Sequence, residues 1–178
     1  ILTMGYEIIT ITPTIADGAH AAGKVFFHLN EVKMPARACE IMNMFMEVNN
    51  GGGEDSTKIG ILFFQKNVQP YLNKAGSLNA TADIDNDDFV NNKYIGTRYL
   101  MLDATASLDL NVIDTTALYY QCGSNTNTSN PDDSGSAERM ILKGDAGSNT
   151  VYAAGIVHKG VPDFDGSTNI KIHIHVEY

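Results

Sequence analysis

The stretch ATADIDNDDF, Ala80 to Phe89, puts Asp83, Asp85, Asp87 and Asp88 within six positions. Alternating carboxylates on a short loop can hold a hard cation such as calcium. A calcium loop of the EF-hand type also needs a glycine at its sixth position and a bidentate glutamate at its twelfth. Counted from Asp83, those positions are Asp88 and Tyr94, so both requirements fail. What remains is either a looser cation site built on Asp83, Asp85 and Asp87, or a capped turn. In the turn, aspartate side chains bind nearby backbone N–H groups and leave the remaining charge to water. A second candidate is the pair His173 and His175. They lie two apart, which on a strand puts both imidazoles on one face, a workable geometry for zinc or copper. A third ligand would be required, and His158 is the candidate from another strand. The alternative is two histidines on a solvated strand face.

Other patterns name no chemistry. Gly51-Gly52-Gly53 followed by Thr57-Lys58 lacks the glycine before lysine that a phosphate loop needs, and it leads into strand-like rather than helical sequence. There is no Gly-x-Ser-x-Gly elbow, so no nucleophile or catalytic residue is assigned. No tryptophan is present to stack on a sugar, and the adjacent Tyr119 and Tyr120 must point to opposite faces of a strand. Met42, Met44 and Met46 alternate in step with Val48, a pattern that reads as core packing or, if that face is exposed, as a protein–protein contact. The two cysteines, Cys39 and Cys122, are too far apart in sequence for a zinc-ribbon spacing and too few for a disulfide framework; the expectation is two buried free thiols, the alternative a single bridge between them. The expectation is therefore no cofactor and no confident metal site.

The elements that would position these residues are strands. YEIITITPTI (Tyr6 to Ile15) and IKIHIHVEY (Ile170 to Tyr178) alternate cleanly. In the second, Ile170, Ile172, Ile174 and Val176 share one face, and Lys171, His173, His175 and Glu177 the other. Further strands are predicted at Lys24 to Val32, Ala38 to Val48, Ile59 to Gln65, Lys93 to Leu102, Ser107 to Ile113, Ala117 to Cys122, Glu138 to Gly144 and Thr150 to His158. FVNNKYI can add a helical turn after the acidic loop. Gly, Asn, Asp and Ser cluster in the connectors. NNGGGEDSTK (Asn49 to Lys58) reads as a flexible hairpin loop, and the small, polar stretch from Gly123 to Glu138 as an exposed excursion. Strands of this number separated by polar turns predict an all-β fold, a jelly-roll-like two-sheet β-sandwich of about eight to ten strands. The expectation is one domain over 1–178, with 1–5 as an N-terminal arm.

The bulk composition excludes some classes of partner. The chain has 178 residues, enough for one domain with a real core. Twelve basic against twenty-one acidic side chains give a net charge of -9. The basic residues form no stripe, which argues against nucleic acid, whose phosphates select the opposite sign. No apolar run reaches membrane-span length. The first residues, ILTMGYEII, lack the basic start and long apolar middle of a secretory signal. They open on Ile rather than Met, which leaves upstream residues and a removed leader open.

Taken in order, several stretches resemble a group of tailed-bacteriophage virion proteins common in marine and cyanobacterial phages. In that group an opening strand leads to a small-residue turn, here AHAAGKVFF (Ala19 to Phe27), with Lys24 where an acid is frequent. A strand pair ending in a leucine-phenylalanine segment follows, here IGILFFQKN (Ile59 to Asn67). Then comes a segment of alternating acids and a strand opening with glycine, here GSLNATADIDNDDFVNNKYIGTRYL (Gly76 to Leu100). The resemblance runs from about residue 6 to residue 122. It implies a non-enzymatic virion structural protein: a capsid decoration, or cement, protein on the outer surface of the capsid. The implied partners are the major capsid protein of the shell and further copies of the chain, as in a trimer. The alternative is a receptor-binding, glycan-binding β-sandwich of a tail or fibre. No catalytic residue transfers under either reading. In this group the acidic segment is the turn that leads into a core strand.

Overall fold

The computed structural model describes residues 4–49, 51–52, 57–102, 116–122, 139–164 and 170–178. Among these residues the chain forms twelve strands, one α-helix and a short 3-10 turn at Asp145–Gly147. The strands are β1 (Tyr6–Ile11), β2 (Gly18–Ala19), β3 (Val25–Lys33), β4 (Ala38–Asn49), β5 (Gly51–Gly52) and β6 (Lys58–Phe64). After the helix α1 (Asn86–Asn92) come β7 (Tyr94–Leu102), β8 (Thr116–Cys122), β9 (Met140–Lys143), β10 (Thr150–Lys159), β11 (Asp163–Phe164) and β12 (Ile170–Glu177). The fold is all-β, and it is a sandwich. The predicted strand Ser107 to Ile113 and the excursion Gly123 to Glu138 lie outside the described residues.

Hydrogen bonding runs in the order β1-β12-β4-β8-β7-β6-β10-β3, with every pairing antiparallel. This order is the jelly-roll winding. Numbered along the chain, the eight long strands pair first with last (β1 with β12), second with seventh (β3 with β10), third with sixth (β4 with β8) and fourth with fifth (β6 with β7). Two four-stranded layers result, β1-β12-β4-β8 and β3-β10-β6-β7, joined where β8 pairs with β7. At the opposite side the layers end on β1 and β3, which approach each other without pairing. Beyond β8, β9 takes over the side of β4 from Ala38 to Ile41.

Three connections that cross between the layers meet at one end of the sandwich. There β11 is flanked by β2 and β5 in a small second sheet. This corrects the hairpin expected over Asn49 to Lys58. β4 and β6 belong to different layers and do not pair, and Gly51-Gly52 bonds to Asp163-Phe164 instead. Asn50 and residues 53–56 of that loop lie outside the described residues. The expected N-terminal arm is also shorter than 1–5. The Gly5 N–H donates to the Tyr178 carbonyl at 2.8 Å and the Tyr178 N–H to the Gly5 carbonyl at 3.0 Å, so Gly5 continues the β1–β12 ladder. Residues 1–3 lie outside the described residues.

One apolar core fills the space between the layers. β12 supplies Ile170, Ile172, Ile174 and Val176, as its alternation predicts, and β4 supplies Ile41, Met44, Met46 and Val48. Met42 departs from the predicted methionine stripe and is exposed. The register shows why: Val176 faces Ile41 but His175 faces Asn43, so one extra residue bulges at Met42 and the in–out alternation restarts. Phe26, Phe27 and Phe164 close the end of the core beneath the small sheet, with His20 edge-on to Phe26 and Phe164. Cys39 is a buried free thiol, and burial raises its pKa; the side chain of Cys122 lies outside the described residues.

The β3-β10-β6 layer is buried on its outer face as well. Leu62, Phe64, Val25 and Ala154 point away from the core and are covered by the β6–β7 connection through Leu72, Leu78, Ile84 and Phe89. Two polar side chains fasten this cover. Asn92 is buried, its Oδ1 accepting from the Val68 and Gln69 N–H groups at 2.9 Å each and its Nδ2 donating to the Gln69 carbonyl at 2.8 Å. His28 of β3 accepts the Leu72 N–H on Nδ1 at 3.2 Å and stands edge-on to Tyr71.

Two expectations test this packing. Gly155 of β10 sits at an irregular register opposite Phe27, and a Cβ there would lie 2.4 Å from the Phe27 ring. Gly155→Ala should therefore destabilise the fold by about 1–3 kcal/mol, read by chemical denaturation. Burial lowers the pKa of His28, opposed more weakly by the Gly76 carbonyl. A folded pKa below the unfolded 6.5 means the unfolded chain binds more protons under that pH. The contribution of neutral His28 is thus complete above pH 6.5 and is lost as pH falls toward the folded value. His28→Asn, whose Oδ1 can accept the same N–H, should flatten this part of the stability-versus-pH curve relative to the unmodified protein.

Candidate functional site

The acidic stretch starts a helix. Asp85 is the N-cap of α1: its Oδ1 accepts the Asp88 N–H at 3.0 Å, and the Asp88 carboxylate accepts the Asp85 N–H at 3.2 Å. This reciprocal capping box satisfies two N–H groups that a helix start leaves open, and it places acids where the helix dipole favours them. Asp87 lies in the same first turn, and Asp83 faces Lys74 at 3.8 Å. The weak cation candidates Asp83, Asp85 and Asp87 are thus not gathered as a ligand set. Lys93 ends the helix in the left-handed conformation, and its ammonium joins Lys66 on Asp145, linking the helix end to the 3-10 turn. The neighbouring Lys93 and Lys66 hold the Asp145 carboxyl below its usual range.

The histidine pair occupies the outer face of the β1-β12-β4 layer. His173 Nδ1 bonds to Thr10 Oγ1 at 3.0 Å, and His175 Nδ1 to the Tyr6 hydroxyl, both across the β1–β12 ladder. From the other side Phe45 of β4 stacks on His173, centroids 4.5 Å apart, and stands edge-on to His175 at 5.5 Å. The imidazoles are therefore half-buried around a phenylalanine, not free on a wet face. His173 Nε2 lies 3.5 Å from Glu47 Oε2, outside hydrogen-bond geometry, and His175 Nε2 is buried without a partner among the described residues. His158 cannot join them, since β10 pairs with β3 and β6 in the opposite layer. It packs on Tyr99 instead, and its pKa is lowered by burial and by the Lys58 charge. Among the described residues, no three His, Cys, Asp or Glu side chains are placed to hold a metal ion.

What the sequence did not single out is the surface around the histidines. Tyr6, Ile8, Met42 and Ile141 are all exposed there. Two ion pairs lie on the same face: Arg139 grips Glu40, and Lys171 lies 3.9 Å from Glu47. The Arg139 guanidinium holds the Glu40 carboxyl below its usual range. Ile8 and Ile141 carry a readable signal, an apolar residue at a polar position of an alternating strand. Met42 carries none, because a bulge is set by the partner strand. The face is therefore semi-apolar, with exposed aliphatic and aromatic side chains beside two ion pairs.

No helix among the described residues is long and apolar enough to cross a membrane. Comparisons with protein-family models, with curated proteins and with solved structures each gave no match.

Asp85→Ala should cost about 1 kcal/mol through loss of the cap, measured by thermal or chemical denaturation. Added calcium should leave the melting temperature of the unmodified protein where it was; a calcium-dependent rise that Asp85→Ala removes would restore the cation reading.

Proposed function

We propose that this chain is a non-enzymatic structural protein of a tailed-phage virion, a capsid decoration protein that stabilises the head from its outer surface. The observation that carries this reading is the asymmetry of the two layers. One is buried on its inner face by the opposite layer and, over β3, β10 and β6, on its outer face by the chain's own β6–β7 connection. The other has no such cover among the described residues, and its outer face bears the exposed Tyr6, Ile8, Met42 and Ile141 beside the ion pairs Arg139–Glu40 and Lys171–Glu47. The sequence resemblance points the same way. The mechanism is adhesion: the major capsid protein is the partner, and the rigid sandwich lays its uncovered face against the shell. Individually weak contacts repeated around a shell add up through avidity.

Quantitative mass spectrometry of purified virions of the encoding phage tests this directly. A copy number comparable to the main shell protein is the expected result. A handful of copies would move the chain to the tail and favour glycan recognition, and absence from particles would overturn both. Where it is present, Met42→Asp and Ile141→Asp should each weaken binding to stripped capsids while leaving the melting temperature nearly unchanged, since both side chains already face water.

A further inference from the structure

The two strands that end the hydrogen-bond order, β1 and β3, are treated differently by the chain. The free side of β3 is covered by the β6–β7 connection. The Val25 N–H donates to the Ala80 carbonyl at 2.8 Å, the Asn79 N–H to the Val25 carbonyl at 3.0 Å, and the Leu29 N–H to the Pro70 carbonyl at 3.2 Å. β1 has no such cover among the described residues.

The pairing with β12 identifies which backbone groups β1 leaves open. Gly5 and Tyr178 exchange both hydrogen bonds, so alternate residues Glu7, Ile9 and Ile11 bond to β12 as well. Tyr6, Ile8 and Thr10 then direct their N–H and C=O groups away from β12. The usual defences of an edge strand are a lysine, a proline, a bulge or a short length. β1 runs six residues in unbroken register, and its one charge is Glu7. Tyr6 and Ile8 are 59% and 48% exposed. Even the core residues of this strand are imperfectly covered: Ile9 and Ile11 keep 8% and 7% exposure, while Ile172 and Ile174 of the adjacent β12 keep none.

We infer that β1 is the pairing edge for a second copy of this chain, joined antiparallel about a two-fold axis through Ile8. The three open residues are self-complementary in that arrangement. Tyr6 meets Thr10 of the second copy, Ile8 meets its counterpart on the axis, and Thr10 meets Tyr6. Each of these three pairs exchanges both backbone bonds, the longest overlap β1 allows. A two-fold makes one patch its own partner. The same register sets Glu7 opposite Ile9, so the two carboxylates do not face each other across the ladder, as they would one step of pairing away. Two β1-β12-β4-β8 layers then become one continuous eight-stranded sheet, and the bare faces of both copies lie side by side. This inference is independent of the virion reading.

Sedimentation velocity of the full chain over a concentration series tests it. A monomer–dimer equilibrium is expected. Ile8→Pro removes an N–H that β12 does not use, as proline does on natural edge strands, and should raise the dissociation constant about tenfold or more. Ile8→Lys should do the same through charge while keeping the N–H group. Independently, Ile8→Cys should form an intermolecular disulfide under mild oxidation, because the two Cα atoms would lie about 5.5 Å apart. Tyr6→Cys and the remote Val90→Cys should not, with the unmodified chain as blank for its own thiols. A monomer at every concentration, a trimer, or a dimer indifferent to Ile8→Lys with no Ile8→Cys cross-link would each overturn the inference. The lysine and cysteine variants decide the question even if the proline variant fails to fold.

Discussion

The rest of the molecule depends on β12 lying between β1 and β4. It is the last of the described strands, yet it is bonded on both sides to strands that come early in the sequence. Its four inward side chains are fully buried, and they line the centre of the layer that faces β3, β10 and β6. Until β12 docks, β1 has no partner and one side of β4 is open. β10 plays the same part in the opposite layer, between β3 and β6. Both insertions close long loops before any contact rewards them. Such non-local pairing slows folding more than it limits final stability.

The same strand links the core to the outer face. The period of two that buries Ile172, Ile174 and Val176 sends His173 and His175 outward, where Thr10, Tyr6 and Phe45 receive them. Each imidazole spans the ladder, bonding to β1 and packing on β4. The histidines therefore help hold the register of three strands, a structural role that needs no metal. Their burial around Phe45 also keeps the exposed part of the face semi-apolar.

Asymmetry between the layers comes from a single connection. Residues between β6 and β7 cover the outside of β3, β10 and β6, bond to the open edge of β3, and are fastened by Asn92, His28 and the capped helix. One layer is thereby finished internally. Among the described residues the other has neither a cover on its outer face nor, at β1, a partner on its open edge. The proposed adhesive surface and the proposed pairing edge would thus belong to the same layer, and a repeating assembly would have two separate contacts to use.

The residues themselves determined the strands, since the pattern is local: a strand with one wet face must place apolar and polar side chains in turn, as β12 does, and one buried on both faces, as β6 is, reads as a continuous apolar run. The helix cap was equally local, because Asp85 and Asp88 are three apart and serve each other's N–H groups. The jelly-roll class followed from strand number and turn chemistry. Other features depended on which strands meet. The connection after β4 reads as a hairpin until its flanking strands fall in opposite layers. Met42 reads as core until a bulge against β12 shifts the alternation. His158 reads as a neighbour of His173 and His175 until β10 and β12 are seen in different layers. Local patterns report which way a side chain faces relative to its own backbone. Tertiary structure alone decides what lies on that side, because pairing partners are chosen across the whole chain and not along it.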